Sequence, residues 1–351
     1  MSLPMKSEVI VIGAGALGLA TAAELVRRGL RPLVLDAGAP NASLVAAGML
    51  APAFEAVLEE VSSERADLYR LGRDFWPDLA ERAGITLNRS GADWIGPVEP
   101  LASRMSELGF VVEAAPGGFR TPDDWTLNPE TALPRLAAHL AEGGGAIHTA
   151  RVEALEVSRS GVEVYAGDAR FAAEAVVIAA GWAAPALAAP LGLAGGLVRP
   201  VKGHILKLAG EGTGQVERVT RAPGVYFVPR ADGLVVGATM QPDRSDVVIE
   251  PEVVEALHRA AAAVFPALAA AKIAEARAGI RGSSPDGLPL AGAAGASGVH
   301  LALAPRRNGW LLAPLVARSV AATLLGGDDP AGGALRPDRF QAPDGGRAVT
   351  A

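Results

Sequence analysis

Cysteine is absent from all 351 residues. That excludes disulfides, thiolate metal sites, a cysteine nucleophile and a thioether link to a cofactor. Histidine is scarce: His139, His148, His204, His258 and His300 are scattered with no metal-ligand spacing, so no metal centre is expected. Aromatic residues make up only 5% of the chain, no basic cluster lies among them, and the formal net charge is −6. Nucleic acid therefore finds no electrostatic footprint. Long apolar runs are missing too. The most hydrophobic helical stretch, around residues 260–274, is interrupted by Pro266 and Lys272, so no integral membrane segment is expected. Lys6 precedes only Val9-Ile10-Val11-Ile12 before a glycine, which reads as a buried strand rather than a signal peptide. What is left is a chain 50% hydrophobic and 20% charged, the composition expected of a cytoplasmic globular enzyme with a large core.

The most informative feature present is Gly13-Ala14-Gly15-Ala16-Leu17-Gly18, which follows that apolar run and opens a helical stretch. Gly13 suits a tight turn, Gly15 lets backbone N–H groups approach a pyrophosphate, and Gly18 lets the helix pack closely on the strand. The helix N-terminus then turns its positive dipole end to the phosphates. Leu17, Ala20, Ala23 and Leu25 recur at helical spacing, and Arg27-Arg28-Gly29 closes the helix. Leu33-Val34-Leu35 reads as the next strand, with Asp36 at its end able to accept hydrogen bonds from ribose hydroxyls. Strand, glycine turn, helix and terminal acid together favour a dinucleotide over a purely structural turn.

A polar loop at residues 38–43 leads to the small-residue run Ala46-Ala47-Gly48-Met49-Leu50-Ala51, which Pro52 is expected to stop. Leu68, Leu71, Phe75 and Leu79 predict helix over roughly 59–83. Residues 85–123 read as short strands and turns, including Asp93-Trp94-Ile95 and Gly109-Phe110-Val111-Val112. Asn128-Pro129-Glu130 starts a helix that Gly143 ends, and a hairpin spans 151–157 and 162–165. Val176-Val177-Ile178-Ala179-Ala180-Gly181 suits a second parallel strand ending at the nucleotide, with a plain core strand as the other reading. Residues 200–268 read as an antiparallel sheet with a helix, turning at Ala231-Asp232-Gly233.

The expected fold class is α/β: a Rossmann-type domain from residues 1–52, 130–198 and 277–330, interleaved with an antiparallel-sheet α+β substrate domain from 53–129 and 199–276. The tail, 331–351, is rich in Gly, Pro and Asp and is expected to be partly disordered.

Four ordered segments carry a resemblance that spans nearly the whole chain. They are the glycine turn with Asp36; the loop ending at Pro52; Tyr226-Phe227-Val228-Pro229-Arg230 with Gly237-Ala238-Thr239-Met240; and Ala278-Gly279-Ile280-Arg281 with Pro285-Asp286-Gly287-Leu288-Pro289, then Arg307-Asn308-Gly309. In this series the chain resembles the FAD-dependent D-amino-acid oxidase superfamily, and within it the glycine oxidases of thiamine biosynthesis. The resemblance implies non-covalent FAD held by Gly13, Gly15, Ala16, Leu17, Gly18, Asp36, Ala37, Ser43, Ala47, Gly48, Met49, Val152 and Gly181. It also implies that Pro305, Arg306, Arg307, Asn308, Gly309, Trp310 and Leu311 wrap the flavin ring. Arg281 would meet the substrate carboxylate with Tyr226 and Arg307 beside it, and Met49, Met240 and Phe54 would border the pocket. The partners so implied are a small amino acid and O2, in a homo-oligomer.

Read without the resemblance, Arg281 and Arg307 lie among apolar residues, where an unpaired guanidinium costs several kcal/mol, so each calls for an anion. For Arg281 a structural pair with Asp286 or Glu275 is the alternative to a ligand. Tyr226, Met49 and Met240 taken alone suit core positions. The glycine oxidase pattern has histidine and an aromatic where this chain has Pro305-Arg306, so Arg306 competes with Arg307 for the substrate. Three activities stay open at this stage: an oxidase of glycine, sarcosine or D-alanine; an amino-acid dehydrogenase passing electrons to another acceptor; and a flavoprotein subunit with no turnover of its own.

Overall fold

Four consecutive apolar residues that must all be buried need a strand covered on both faces. In the computed structural model, which describes residues 4–191 and 197–340, Val9 to Ile12 end the strand Met5–Ile12 and are all buried. It runs parallel to Leu33–Asp36 on one side and to Ala169–Ile178 on the other. Val299–Leu303 extends the sheet in parallel beyond Ala169–Ile178, and Ala146–Thr149 does so beyond Leu33–Asp36. An antiparallel edge strand, Leu290–Ala293, and the hairpin of Ala154–Ser158 with Gly161–Ala166 complete eight strands. Helices Ala16–Arg27 and Gly309–Leu325 pack together over this sheet, and Pro129–Glu142 packs against the first of them. Asn128 caps that third helix through Glu130 N, as its sequence predicts.

The second sheet has nine strands and is mostly antiparallel. Its register decides the site. Trp94 pairs with Arg221, Arg221 with Tyr226, Tyr226 with Gly237, and Gly237 with Ile205, a single line across four adjoining strand pairs. Residues directly opposite share a face. At the far side of the same sheet, Arg281 pairs with Val201, two residues from Gly203 and so on Gly203's face.

Three expectations change. Pro52 does not stop a segment but opens the helix Pro52–Leu58, where its missing N–H costs nothing. Buried Asp124 accepts hydrogen bonds from Ala53 N at 2.8 Å and Phe54 N at 3.2 Å, fixing that helix start. Residues 109–112 are loop rather than strand, and the preceding segment forms the helix Leu101–Glu107. The stretch from Arg277, expected with the nucleotide-binding segments, begins inside the strand Lys272–Ser283 of the nine-stranded sheet. In the first half of the tail, residues 331–340 are packed on the protein, with Leu335 fully buried and Arg339 bonded to Asp286 at 2.9 Å. The expected disorder at 341–351 lies outside the described residues.

Candidate active site

A cavity of about 310 Å³ opens where the helix Pro52–Leu58, the nine-stranded sheet and the chain at 307–310 meet. Arg281, Tyr226, Arg307, Met49, Met240 and Trp310 all line it. The two candidate arginines have different surroundings. Arg281 donates from Nη1 only to Thr239 O at 3.2 Å and toward Met240 Sδ at 3.4 Å. The two carboxylates that could have paired with it are taken: Asp286 holds Arg339 and Glu275 holds Arg277. Among the described residues Arg281 has no ion-pair partner, although burial pushes its pKa down and so penalises its charge. A half-buried guanidinium left this way has no anion to offset its charge.

Two glycines make room for the pair that would grip a carboxylate. A Cβ at Gly203 would fall 2.1 Å from Arg281 Nη1, and one at Gly237 would fall 2.4 Å from the Tyr226 hydroxyl. Both side chains therefore lie flat across backbone that carries no side chain of its own. Burial raises the Tyr226 pKa, and the Arg281 and Arg221 charges pull against it, so the phenol stays protonated as a donor at neutral pH.

Arg307 is matched by protein acids. Its Nε bonds to Glu55 and lies 3.2 Å from Glu59. Glu55 also takes Arg221 Nη2 at 2.7 Å. Burial opposes ionisation of Glu55, yet Arg307 and Arg221 hold its pKa down at about 2. Arg306 pairs with Glu59 and does not line the cavity, whereas Arg307 does. Phe54 lies beneath the pocket rather than on its wall: it is fully buried and stacked at 6.1 Å on Trp94 and 5.7 Å on Phe119. Its helix turns Glu55 to the cavity instead.

Glu55, Glu59, Arg221, Gly203 and Gly237 were missed in the sequence. A lone acid inside Ala53-Phe54-Glu55-Ala56-Val57 was a signal that a buried partner was needed. Nothing local marks Arg221, whose importance comes only from sheet register.

At the other end, the helix Ala16–Arg27 starts from an extended Gly15 with no side-chain cap, which leaves backbone donors for phosphate. Gly13 has φ +111°, and a Cβ at Gly18 would fall 1.9 Å from Gly13 O. Ser43 Oγ accepts from Ala16 N at 2.9 Å. Asp36 accepts from Ala14 N at 2.7 Å and Gly38 N at 2.8 Å through different oxygens, and each oxygen keeps a lone pair for a ribose hydroxyl. Leu17 is buried in the helix, and Ala37 is exposed just past Asp36. Gly48 approaches Leu127 O too closely for any Cβ, and Ala47 and Gly48 both line the cavity. Val152 is half-buried against the core, Gly181 has φ +60° just beyond the parallel strand, and neither reaches the cavity. Asn308 and Trp310 line the cavity wall, Trp310 Nε1 bonds Ser43 O at 2.9 Å, and Leu311 is buried. Ala304 (φ +57°) and Arg306 (φ +50°) bracket Pro305 in left-handed backbone, a strained turn of the sort found at functional sites.

An uncapped helix start beside open glycine backbone, joined through Ser43 and Trp310 to a cavity, fits a long group such as FAD. Among the described residues no group of His, Asp or Glu is arranged to hold a metal ion, and no helix is long and apolar enough to cross a membrane.

Residues 8–323 match the DAO family, described as FAD dependent oxidoreductase. A glycine oxidase of Geobacillus kaustophilus is 31% identical over 90% of this chain and 92% of that protein. The bifunctional protein ThiO/ThiG of Trichormus variabilis is 29% identical over 90% of this chain, which spans 52% of that protein's length. The crystal structure of glycine oxidase from Geobacillus kaustophilus superposes with a TM-score of 0.83 at 27% identity, covering 92% of this chain and 96% of that one.

Proposed function

Because the chain belongs to the DAO family of FAD dependent oxidoreductases, we propose that it oxidises glycine or a similarly small amino acid to the imine, with O2 as electron acceptor. The observation that carries this is Arg281, a half-buried guanidinium without a carboxylate among the described residues, in the same cavity as Tyr226. The relative named glycine oxidase supports the substrate size and the oxygen acceptor, and a Rhizobium etli relative named putative thiamine biosynthesis oxidoreductase ThiO, 31% identical over 90% of this chain, supports a place in thiamine biosynthesis.

FAD, when bound, supplies an acceptor for the α-hydrogen and its electron pair. The protein's part is binding and orientation. Arg281 and the Tyr226 hydroxyl hold the carboxylate, which points the α C–H bond in one direction. Met49, Met240 and Trp310 give the cavity apolar walls that exclude water. Glu55 is no general base: with a pKa of about 2 between two arginines, it has little affinity for a proton. The substrate amine therefore reacts once it has lost its extra proton to water. The α-hydrogen leaves as hydride, one amine proton leaves, C=N forms, and O2 takes the electron pair as H2O2. The reduction rate is expected to rise with pH as the bound amine deprotonates; a flat profile contradicts this step.

Anaerobic addition of glycine, sarcosine and D-alanine should bleach the FAD-loaded protein, and admitting air should restore the colour with stoichiometric H2O2. Bleaching without peroxide would point to a dehydrogenase, and no bleaching would overturn the reading. The lack of cysteine suits a reducing cytoplasm. Gel filtration is expected to return a homo-oligomer, and a monomer would contradict that part.

A further inference from the structure

The cavity holds more positive charge than one carboxylate can offset. Arg221, Arg281 and Arg307 line it together with a single acid, Glu55. Just behind, Glu59 is shared between Arg306 and Arg307. Four guanidiniums thus meet the carboxylates of Glu55 and Glu59, while buried Asp124, with its pKa raised to about 7, offsets Arg221 only in part, so a monocarboxylate bound at Arg281 still leaves positive charge over. The surplus is at Arg221. Its side chain is 5% exposed, only its Nη2 makes hydrogen bonds among the described residues, and its buried Nε has no partner. A guanidinium this buried that shares one carboxylate calls for a further anion, which its unbonded Nη1, rather than the enclosed Nε, can meet from the cavity.

Register places this donor usefully. Arg221 sits directly across from Tyr226 on the adjoining strand, and on the same face, three strands away in the opposite direction, Arg281 lies over Gly203. Two cationic forks therefore stand on either side of Tyr226 on one sheet face.

We propose that the preferred substrate is an amino acid with a second acid group, its reacting carboxylate held by Arg281 and Tyr226 and its second carboxylate by Arg221. This rests on the amino-acid reading above and deepens it; the redox step is unchanged. Iminodiacetate and D-aspartate represent the class. The fork of Arg221 matches a carboxylate in a way that an amide or a lysine cannot.

Binding is tested apart from turnover by titrating the FAD-loaded protein with glutarate and succinate, unreactive analogues of those two substrates, against acetate. The change in the flavin spectrum reports occupancy. At least one dicarboxylate should bind tenfold or more tightly than acetate, and Arg221→Gln should bring the ratio to within about threefold. In turnover, the kcat/KM ratio of the better dicarboxylate to glycine should fall at least about tenfold in that variant. Should Arg221→Gln not fold, Arg221→Lys keeps the charge without the fork and should give the same direction. Equal binding of acetate and both dicarboxylates, or ratios unmoved by either variant, overturns the proposal. If glycine bleaches the flavin while dicarboxylates neither bind nor react, this proposal falls and the amino-acid reading stands. If dicarboxylates bind through Arg221 and no amine bleaches the flavin, the site stands and the amino-acid reading falls.

Discussion

Arg281 and Arg307 begin with the same chemistry in similar apolar stretches, and their partners separate their roles. Arg307 is satisfied by Glu55 and Glu59, whereas Arg281 has only a carbonyl and a thioether. Gly203 is what lets Arg281 lie where it does. Gly203→Ala should displace the guanidinium and lower kcat/KM for glycine by roughly 100-fold, mostly through KM, with FAD retained; steady-state kinetics checks this. Asp124 gives a second prediction at this scale. Burial raises its pKa to about 7, against the pull of Arg221 and the N–H groups of Ala53 and Phe54. The native state then keeps a proton that the unfolded chain, titrating near 3.8, has released. Stability should therefore fall as pH rises from about 4 to about 7. Urea midpoints should show this slope, and Asp124→Asn should remove it. Glu55 acts with the opposite sign at lower pH: its contribution is present above about 4.5 and is lost as pH falls toward about 2. An arginine among apolar residues raises the question of a partner in the sequence itself, and Arg281 has no acid partner among the described residues. The site's acids were not legible there, because Glu55 reaches its two arginines only after segments 166 and 252 residues away fold back onto it.

At the scale of elements, the glycine turn was readable because each of its parts has a local cause. Strand, tight turn, helix and terminal acid follow one another within residues 9–36 and appear in the structure as read. The helix starting at Pro129 and the turn at 231–233 were legible for the same reason: a cap and a glycine suffice. The helix Leu101–Glu107 was missed because it is short and weakly periodic. The strand Lys272–Ser283 was misassigned because its glycines resemble those of the nucleotide turn, yet Gly203 and Gly279 pair across strands to make room for side chains. The glycine turn carries its own test. A methyl at Gly18 would meet Gly13 O, a backbone atom with no room to yield. Gly18→Ala should lose most FAD binding, seen as a colourless protein after purification, while an Ala substitution at exposed Gly29's neighbour Arg28 should leave the colour intact.

For the whole molecule, two sheets built on different rules carry the two halves of the site, the nucleotide turn and the cavity. The parallel sheet presents the uncapped helix end and Asp36, and the antiparallel sheet presents Arg281, Tyr226 and Arg221. A ligand that binds only the folded chain raises its stability by mass action. FAD in hundredfold excess over its Kd should add about 2.7 kcal/mol, read as a rise in Tm that grows with FAD concentration. A Tm indifferent to FAD would mean that the site between the sheets does not take it.

The claim on which the account rests is that the carboxylate of the reacting amino acid binds Arg281 within reach of FAD. The direct measurement is anaerobic reduction across a range of glycine concentrations, in the FAD-loaded protein and in Arg281→Ala. The account predicts saturable bleaching in the first, and in the variant bound FAD whose reduction needs at least about 100-fold more glycine. Equal half-saturation in both proteins would contradict it.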